Sequence, residues 1–317
     1  MIEIKRLTKY YGDKMALNNV SFDVKDHELL GLLGPNGAGK STLMNILTGY
    51  LSSTSGTVSV NGHDILEDPT TVKSMIGYLP ENPPLYQDMT VREFLVFVCE
   101  LKKVPREFRE KIVAEVLSLV KIYDVAGRVI RNLSKGYKQR VGMAQALIGN
   151  PEVLIFDEPT IGLDPKQIIE VRNLIRTLKK NHTIIISSHV LAEIQSMCDR
   201  VVIIYEGKIA AINTPLALSG MMSASSRLMI TVDSSSERVS DVLRGISGVT
   251  RVSRIREEND VLQFELFTDR GTDIRREVFS AMAGNGWPII EMRVNELSLE
   301  DIYLGVTDTA ARKGEAK

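Results

Sequence analysis

Residues 28–51 put a glycine-rich loop between an apolar strand and a helix, and that junction leaves few folds open. The run Gly34, Pro35, Asn36, Gly37, Ala38, Gly39, Lys40, Ser41 fits the phosphate-loop pattern G-x-x-x-x-G-K-[ST]. An apolar strand over Glu28–Leu33 leads in. A helix over Ser41–Leu51 leads out, with Leu43, Ile46, Leu47 and Tyr50 on one side. Glycines let backbone N–H groups converge on an anion, and the helix beginning near Lys40 turns its positive end to the same point. Lys40 offers a point charge to the β- and γ-phosphates of a triphosphate, Ser41 a hydroxyl to Mg²⁺, and Thr42 a bond to the α-phosphate.

A second strand signal points to the same chemistry. Val153–Phe156 is apolar and runs into Asp157, Glu158 and Pro159. Ligands bind at strand ends in an open parallel sheet. Asp157 is therefore placed to hold Mg²⁺ through water, and Glu158 to polarise a water aimed at the γ-phosphate. His189 ends another buried strand, Thr183–Ser187, and a lone histidine there would be structural. In company with the other two elements it reads as a donor to the γ-phosphate.

Composition excludes several alternatives. The 317 residues carry 39 basic and 40 acidic side chains, so no basic nucleic-acid footprint is present. Cys99 and Cys198 lie far apart and have neither metal-ligand nor disulfide spacing. The longest apolar runs are strand-sized, and the charged N-terminus lacks the apolar core of a secretory signal. If the chain works at a membrane, another chain supplies the spans.

Along the chain, strands are expected at 2–7, 20–24 and Gly56–Asn61, the last closed by the turn pair Asn61 and Gly62. Residues 69–150 read as mostly helical, with periodic runs at Val91–Leu101, Glu107–Val120 and Lys138–Ile148. An amphipathic helix Lys166–Lys179 follows the acid strand, and Val201–Tyr205 is a further buried strand. Residues 220–226 have linker composition. Beyond them the order strand, helix, strand, strand, helix, strand over 227–307 is the split-βαβ pattern, which predicts a small α+β, ferredoxin-like domain. Residues 308–317 form a polar tail expected to be disordered.

Residues between and after the two phosphate-site elements narrow the class further. Leu133, Ser134, Lys135, Gly136, Tyr137, Lys138, Gln139, Arg140 resemble the LSGGQ signature of ATP-binding cassette proteins. Gly162, Leu163, Asp164, Pro165 resemble their D-loop, and Ser188 with His189 their switch histidine. Leu79, Pro80, Glu81 fall where the Q-loop lies, and Tyr11 matches the aromatic residue that stacks on adenine. The segments GYLPEN and LSKGYKQR are most similar to ATPase subunits of bacterial type-2 ABC exporters, as is a softer match at 298–303. Three positions depart from the family pattern: Glu81 replaces the Q-loop glutamine, Lys135 a signature glycine, and Tyr137 stands at the fifth signature position.

The resemblance implies a P-loop NTPase fold, here an ABC nucleotide-binding domain over 1–219 with a helical subdomain at about 82–150. It implies ATP with Mg²⁺, the ion held by Ser41, Glu81 and Asp157, and a catalytic set of Glu158, His189 and Lys40. It also implies a head-to-tail dimer, with itself or a paralogous subunit, in which Ser134 and Gly136 meet the nucleotide on the partner's loop. The further expectations are a membrane-spanning permease docking beside 82–105, a place on the cytoplasmic face of the cell membrane, and no nucleic acid. Cassette proteins of translation or repair are the rival reading, but no paired cassette and no coiled coil is seen. A C-terminal ligand sensor is a second rival, for which no binding chemistry is evident.

Overall fold

The near-continuous apolar runs of the chain become strands buried on both faces, the signature of a parallel sheet. The computed structural model describes residues 1–218, 227–258, 261–268 and 272–295. The chain divides into two units, Met1–Pro215 and Leu216–Lys317.

In the first unit, β1 (Ile2–Tyr11), β2 (Lys14–Val24), β4 (Ser55–Val60) and β5 (His63–Asp64) form an antiparallel sheet in the order β2-β1-β4-β5. A second sheet has the order β10-β9-β3-β8-β7-β6, built from β3 (Leu29–Leu33), β6 (Ile76–Leu79), β7 (Val153–Phe156), β8 (Thr183–Ser188), β9 (Arg200–Tyr205) and β10 (Lys208–Asn213). Its strands run parallel except for the β9–β10 hairpin. The core between the sheets gathers Ile4, Leu7 and Val20 from one, Leu30, Leu32 and Val202 from the other, and Leu43 and Leu47 from helix α1 (Lys40–Leu47).

Two expectations are corrected here. Ile76–Leu79 lies within the stretch read as mostly helical, yet it is the edge strand β6, paired with β7. Four residues are too few to show a period, and only the neighbouring strand makes them extended. Helix α1 also ends four residues earlier than expected. The Gly49 and Tyr50 N–H groups turn back to the carbonyls of Ile46 and Asn45, and this swings Tyr50 off the apolar face to 83% exposure.

The helical part holds α3 (Val91–Leu101), α4 (Arg106–Leu119) and α5 (Lys135–Leu147), after the short α2 (Pro69–Met75). Thr90 opens α3 with a capping box: its hydroxyl accepts from the Glu93 N–H, and the Glu93 carboxylate accepts from the Thr90 N–H at 2.8 Å. Thr90→Ala removes one of those partners and is expected to cost about 1 kcal/mol in chemical unfolding. An unchanged unfolding midpoint would show that the packing of Phe94 and Leu95 sets this end without the cap.

The described residues of the second unit follow the order strand, helix, strand, strand, helix, strand. Strands β11 (Arg227–Asp233), β12 (Val249–Glu258), β13 (Val261–Thr268) and β14 (Ile289–Asn295) form an antiparallel sheet ordered β12-β13-β11-β14. Helices α8 (Arg238–Arg244) and α9 (Arg275–Gly284) cover one face. Leu228, Ile230, Phe264 and Leu266 of the sheet pack there against Val239, Leu243, Val278 and Met282. Residues 220–226, 298–303 and 308–317 lie outside the described residues. Among the described residues no helix is long and apolar enough to cross a membrane.

Candidate nucleotide site

The site is assembled by strand order. β8 lies between β3, which feeds the phosphate loop, and β7, which ends in the acid pair. Two strand spacings, about 9–10 Å, therefore separate loop and acids, and the end of β8 fills the space between them.

The phosphate loop is shaped by backbone contact. At Gly34 a side chain would run into the Ile204 carbonyl oxygen on β9. Gly39 sits at φ +108, and a Cβ there would come within 2.8 Å of the Ala16 carbonyl oxygen. Gly39 is also the N-cap of α1 and offers no side-chain cap, and the first turn holds no acidic residue. The first N–H groups of α1 thus have no side-chain acceptor and suit an anion. Lys40 is only 5% exposed. Its ammonium donates to the carbonyls of Gly34 (2.7 Å) and Pro35 (3.2 Å) and lies 3.4 Å from Glu158 Oε1.

The acid pair is buried and held from β8. The Ser187 hydroxyl donates to Asp157 Oδ1 at 2.5 Å and accepts from the Glu158 N–H at 2.8 Å. Burial, and then the Asp157 charge, push the Tyr78 phenol well above its ordinary range, so it stays neutral. Glu158 has φ +48 and is 6% exposed. Its Oε2 lies 2.9 Å from His189 Nδ1. One carboxylate thus meets both Lys40 and His189.

A cleft of about 690 Å³ opens on these groups. Tyr11, Pro35, Asn36, Gly37, Gly39, Lys40, Ser41, Thr42, Glu81 and Glu158 line it. Gly34 and Ala38 form the back of the loop, the latter donating to the Pro35 carbonyl. Asp157 and His189 do not line the cleft: Asp157 accepts from the Ser187 hydroxyl behind it, and His189 touches the cleft-lining Glu158 carboxylate from outside. Ser41 and Glu81 offer oxygen atoms to the cleft, donors that suit a hard cation taking further ligands from phosphates and water, while Asp157 is buried beside it.

Ser134 and Gly136 do not line this cleft. Ser134 is the N-cap of α5, accepting from the Tyr137 N–H. Gly136 lies against the Gln167 carboxamide, which a Cβ would approach to 2.6 Å. In return, the Lys135 ammonium lies over Gly162, which sits at φ +69. Signature and D-loop thus interlock within one protomer. The D-loop residue Asp164 caps α6 (Pro165–Leu178), accepting from the Gln167 N–H at 2.9 Å. Ser187, Gln167 and Glu193 carry no motif that sequence reasoning could single out. Their only signal is position: a serine two residues before His189, and a glutamate four residues after it.

A buried lysine on a phosphate loop, facing an acid pair across a parallel sheet, defines a P-loop nucleoside triphosphatase. Residues 17–161 match the ABC transporter family. The chain is 41% identical over 210 residues to the ABC transporter ATP-binding protein YxlF of Bacillus subtilis, covering 66% of this chain and 70% of that one. It is 30% identical to the linearmycin resistance ATP-binding protein LnrL of the same organism, over 98% of this chain and 100% of that one. Among solved structures it resembles a dimeric ATP-binding cassette in a post-hydrolysis state bound to ADP and Pi. That likeness has a TM-score of 0.63 at 26% identity, covering 68% of this chain and 99% of the other. The chain belongs to the ABC transporter family. It is an ATP-binding subunit, and its chemistry is ATP hydrolysis.

Proposed function

We propose that this chain drives an export permease, with Glu158 as the base that activates the attacking water. The observation that carries the reading is the pair of contacts on one buried carboxylate, Lys40 at 3.4 Å and His189 at 2.9 Å. Lys40 and the N-terminus of α1 bind the β- and γ-phosphates, and Tyr11 stacks on the adenine. Glu158 orients a water and takes its proton, while His189 contacts the γ-phosphate and holds Glu158 in place. Mg²⁺ held by Ser41, Asp157 and Glu81 would neutralise charge between the β- and γ-phosphates. Glu81 brings a carboxylate where an amide is usual, which suits a cation ligand but removes a donor.

Ser134 and Gly136 stand at the start of α5, away from the chain's own cleft. This supports a head-to-tail dimer in which they complete the nucleotide site of a second copy or a paralogue. ATP then joins the halves, and loss of the γ-phosphate releases them, a binding difference between two states. The outward direction of transport is supported by the relative named for linearmycin resistance.

The permease contact is proposed at a groove of about 600 Å³ lined by Tyr50, Tyr78, Pro80, Asn82, Pro84, Val98, Leu101 and Lys102. Leu101 is 65% exposed there, beside the still more exposed Tyr50 ring. An apolar rim running from the Q-loop to α3 suits a short permease helix and would keep the subunit at the cytoplasmic membrane face. Leu101→Glu is expected to lower transport by about tenfold or more, while basal ATPase of the isolated subunit stays within about twofold. Parallel assays of both activities test this. An equal fall in the two would remove the groove from the coupling path.

A further inference from the structure

We propose that Glu193 is a positioning residue for hydrolysis, setting the Glu158–His189 pair from below and tying it to the D-loop helix. The proposal rests on the catalytic reading of that pair.

Glu193 lies on the short helix α7 (Leu191–Met197) and is 7% exposed, with no part in the nucleotide cleft. One of its carboxylate oxygens, Oε2, accepts two hydroxyl bonds. Thr160 Oγ1 donates to it at 2.6 Å, and Ser188 Oγ at 3.3 Å. Thr160 stands two residues beyond Glu158. Ser188 immediately precedes His189, and its hydroxyl also accepts from the Val190 N–H at 3.0 Å. The Ser188 hydroxyl thus links the Val190 N–H, just after His189, to the same oxygen that holds Thr160 in the Glu158 loop. The other oxygen, Oε1, lies 3.5 Å from the Arg172 guanidinium on α6, the helix that the D-loop residue Asp164 caps.

A buried carboxylate is costly unless its lone pairs are used. Two of these partners belong to the segments that carry the pair, Thr160 just after Glu158 and Ser188 just before His189, and the third, Arg172, belongs to α6. An apolar side chain of the same size would leave both hydroxyls and the Arg172 guanidinium without this acceptor. This arrangement instead places one rigid acceptor beneath two loops whose relative placement sets the 2.9 Å contact between His189 and Glu158. A displacement of about 1 Å at that contact is enough to cost a large factor in rate. Nucleotide binding at the phosphate loop does not pass through Glu193.

The test is steady-state ATPase on the purified full chain with Glu193→Leu, Glu193→Gln, His189→Ala and the Leu/Ala double variant. Glu193→Leu is expected to lower kcat about tenfold or more with KM for ATP within about twofold. Glu193→Gln, which keeps an acceptor for both hydroxyls, is expected to restore kcat to within about threefold of the parent. In the His189→Ala background Glu193→Leu is expected to add less than about twofold, because the contact it sets is already gone. Losses that multiply in the double variant, or a KM change with kcat intact, would overturn the proposal. Should Glu193→Leu fail to fold, Thr160→Val removes one strut at constant shape and takes its place in the same cycle, with the same outcomes deciding. Intact turnover in His189→Ala would bring down the catalytic reading of the pair, and this proposal with it.

Discussion

Glu158→Gln is expected to yield a subunit that binds ATP, closes into a stable dimer and turns over about 10²-fold more slowly or worse. Glutamine has the volume of glutamate and can still bond to His189, so the buried pocket at the end of β7 keeps its packing. It cannot take a proton from water. It also no longer holds the Lys40 ammonium, which lies 3.4 Å from Glu158 Oε1. That lysine is then freer to turn to phosphate, so ATP affinity is expected to hold or rise. Single-turnover hydrolysis and size-exclusion chromatography with ATP read the two halves of the prediction. Undiminished turnover would take the base role from Glu158, whatever the dimer does.

Lys40→Met has the opposite effect on binding. The lysine is the cation at the loop, and losing its charge-assisted bonds to phosphate is worth about 2–4 kcal/mol, or about 30- to 1000-fold in affinity. Calorimetric titration of ATP reads this directly. The substitution also has a cost without nucleotide, because the Gly34 carbonyl loses its 2.7 Å donor and the buried Glu158 loses a neighbouring cation. Stability is expected to fall by about 1–3 kcal/mol. Adding Glu158→Gln to Lys40→Met is expected to return part of that loss, since the unbalanced carboxylate goes with it. A double variant no more stable than Lys40→Met would mean that the two groups do not compensate each other in the folded protein.

Much of this site is legible in the chain because its parts are local. A phosphate loop needs glycines at fixed offsets from a lysine and a helix start, and these fall within nine residues, 34–42. The acid pair shows itself as an apolar strand ending in two carboxylates. The accessory domain is similarly local in its signals, since its order of strands and helices can be read element by element, while the order β12-β13-β11-β14 within its sheet is set by the fold. Elements that depend on a distant neighbour are harder to see. Ile76–Leu79 becomes a strand because β7 offers it a ladder, and no pattern within four residues announces that. Tyr50 has the spacing of an apolar helix face, but the helix closes at Leu47 and leaves the ring exposed.

Periodicity and spacing in this chain are enough for the phosphate loop, the acid strand and the split-βαβ order of its second unit, because each is written in consecutive residues, and the ABC-type reading comes from the resemblance of short motifs along the chain. The folded chain alone decides that β8 lies between β3 and β7, and so that Ser187 bridges to Asp157 and His189 faces Glu158. It also places Lys135 on Gly162, Gln167 on Gly136, and Glu193 of helix α7 between Thr160 and Ser188. These are contacts between segments that lie apart in the chain. Their geometry follows from strand order and helix packing, which depend on burial summed over the whole unit rather than on any stretch of sequence.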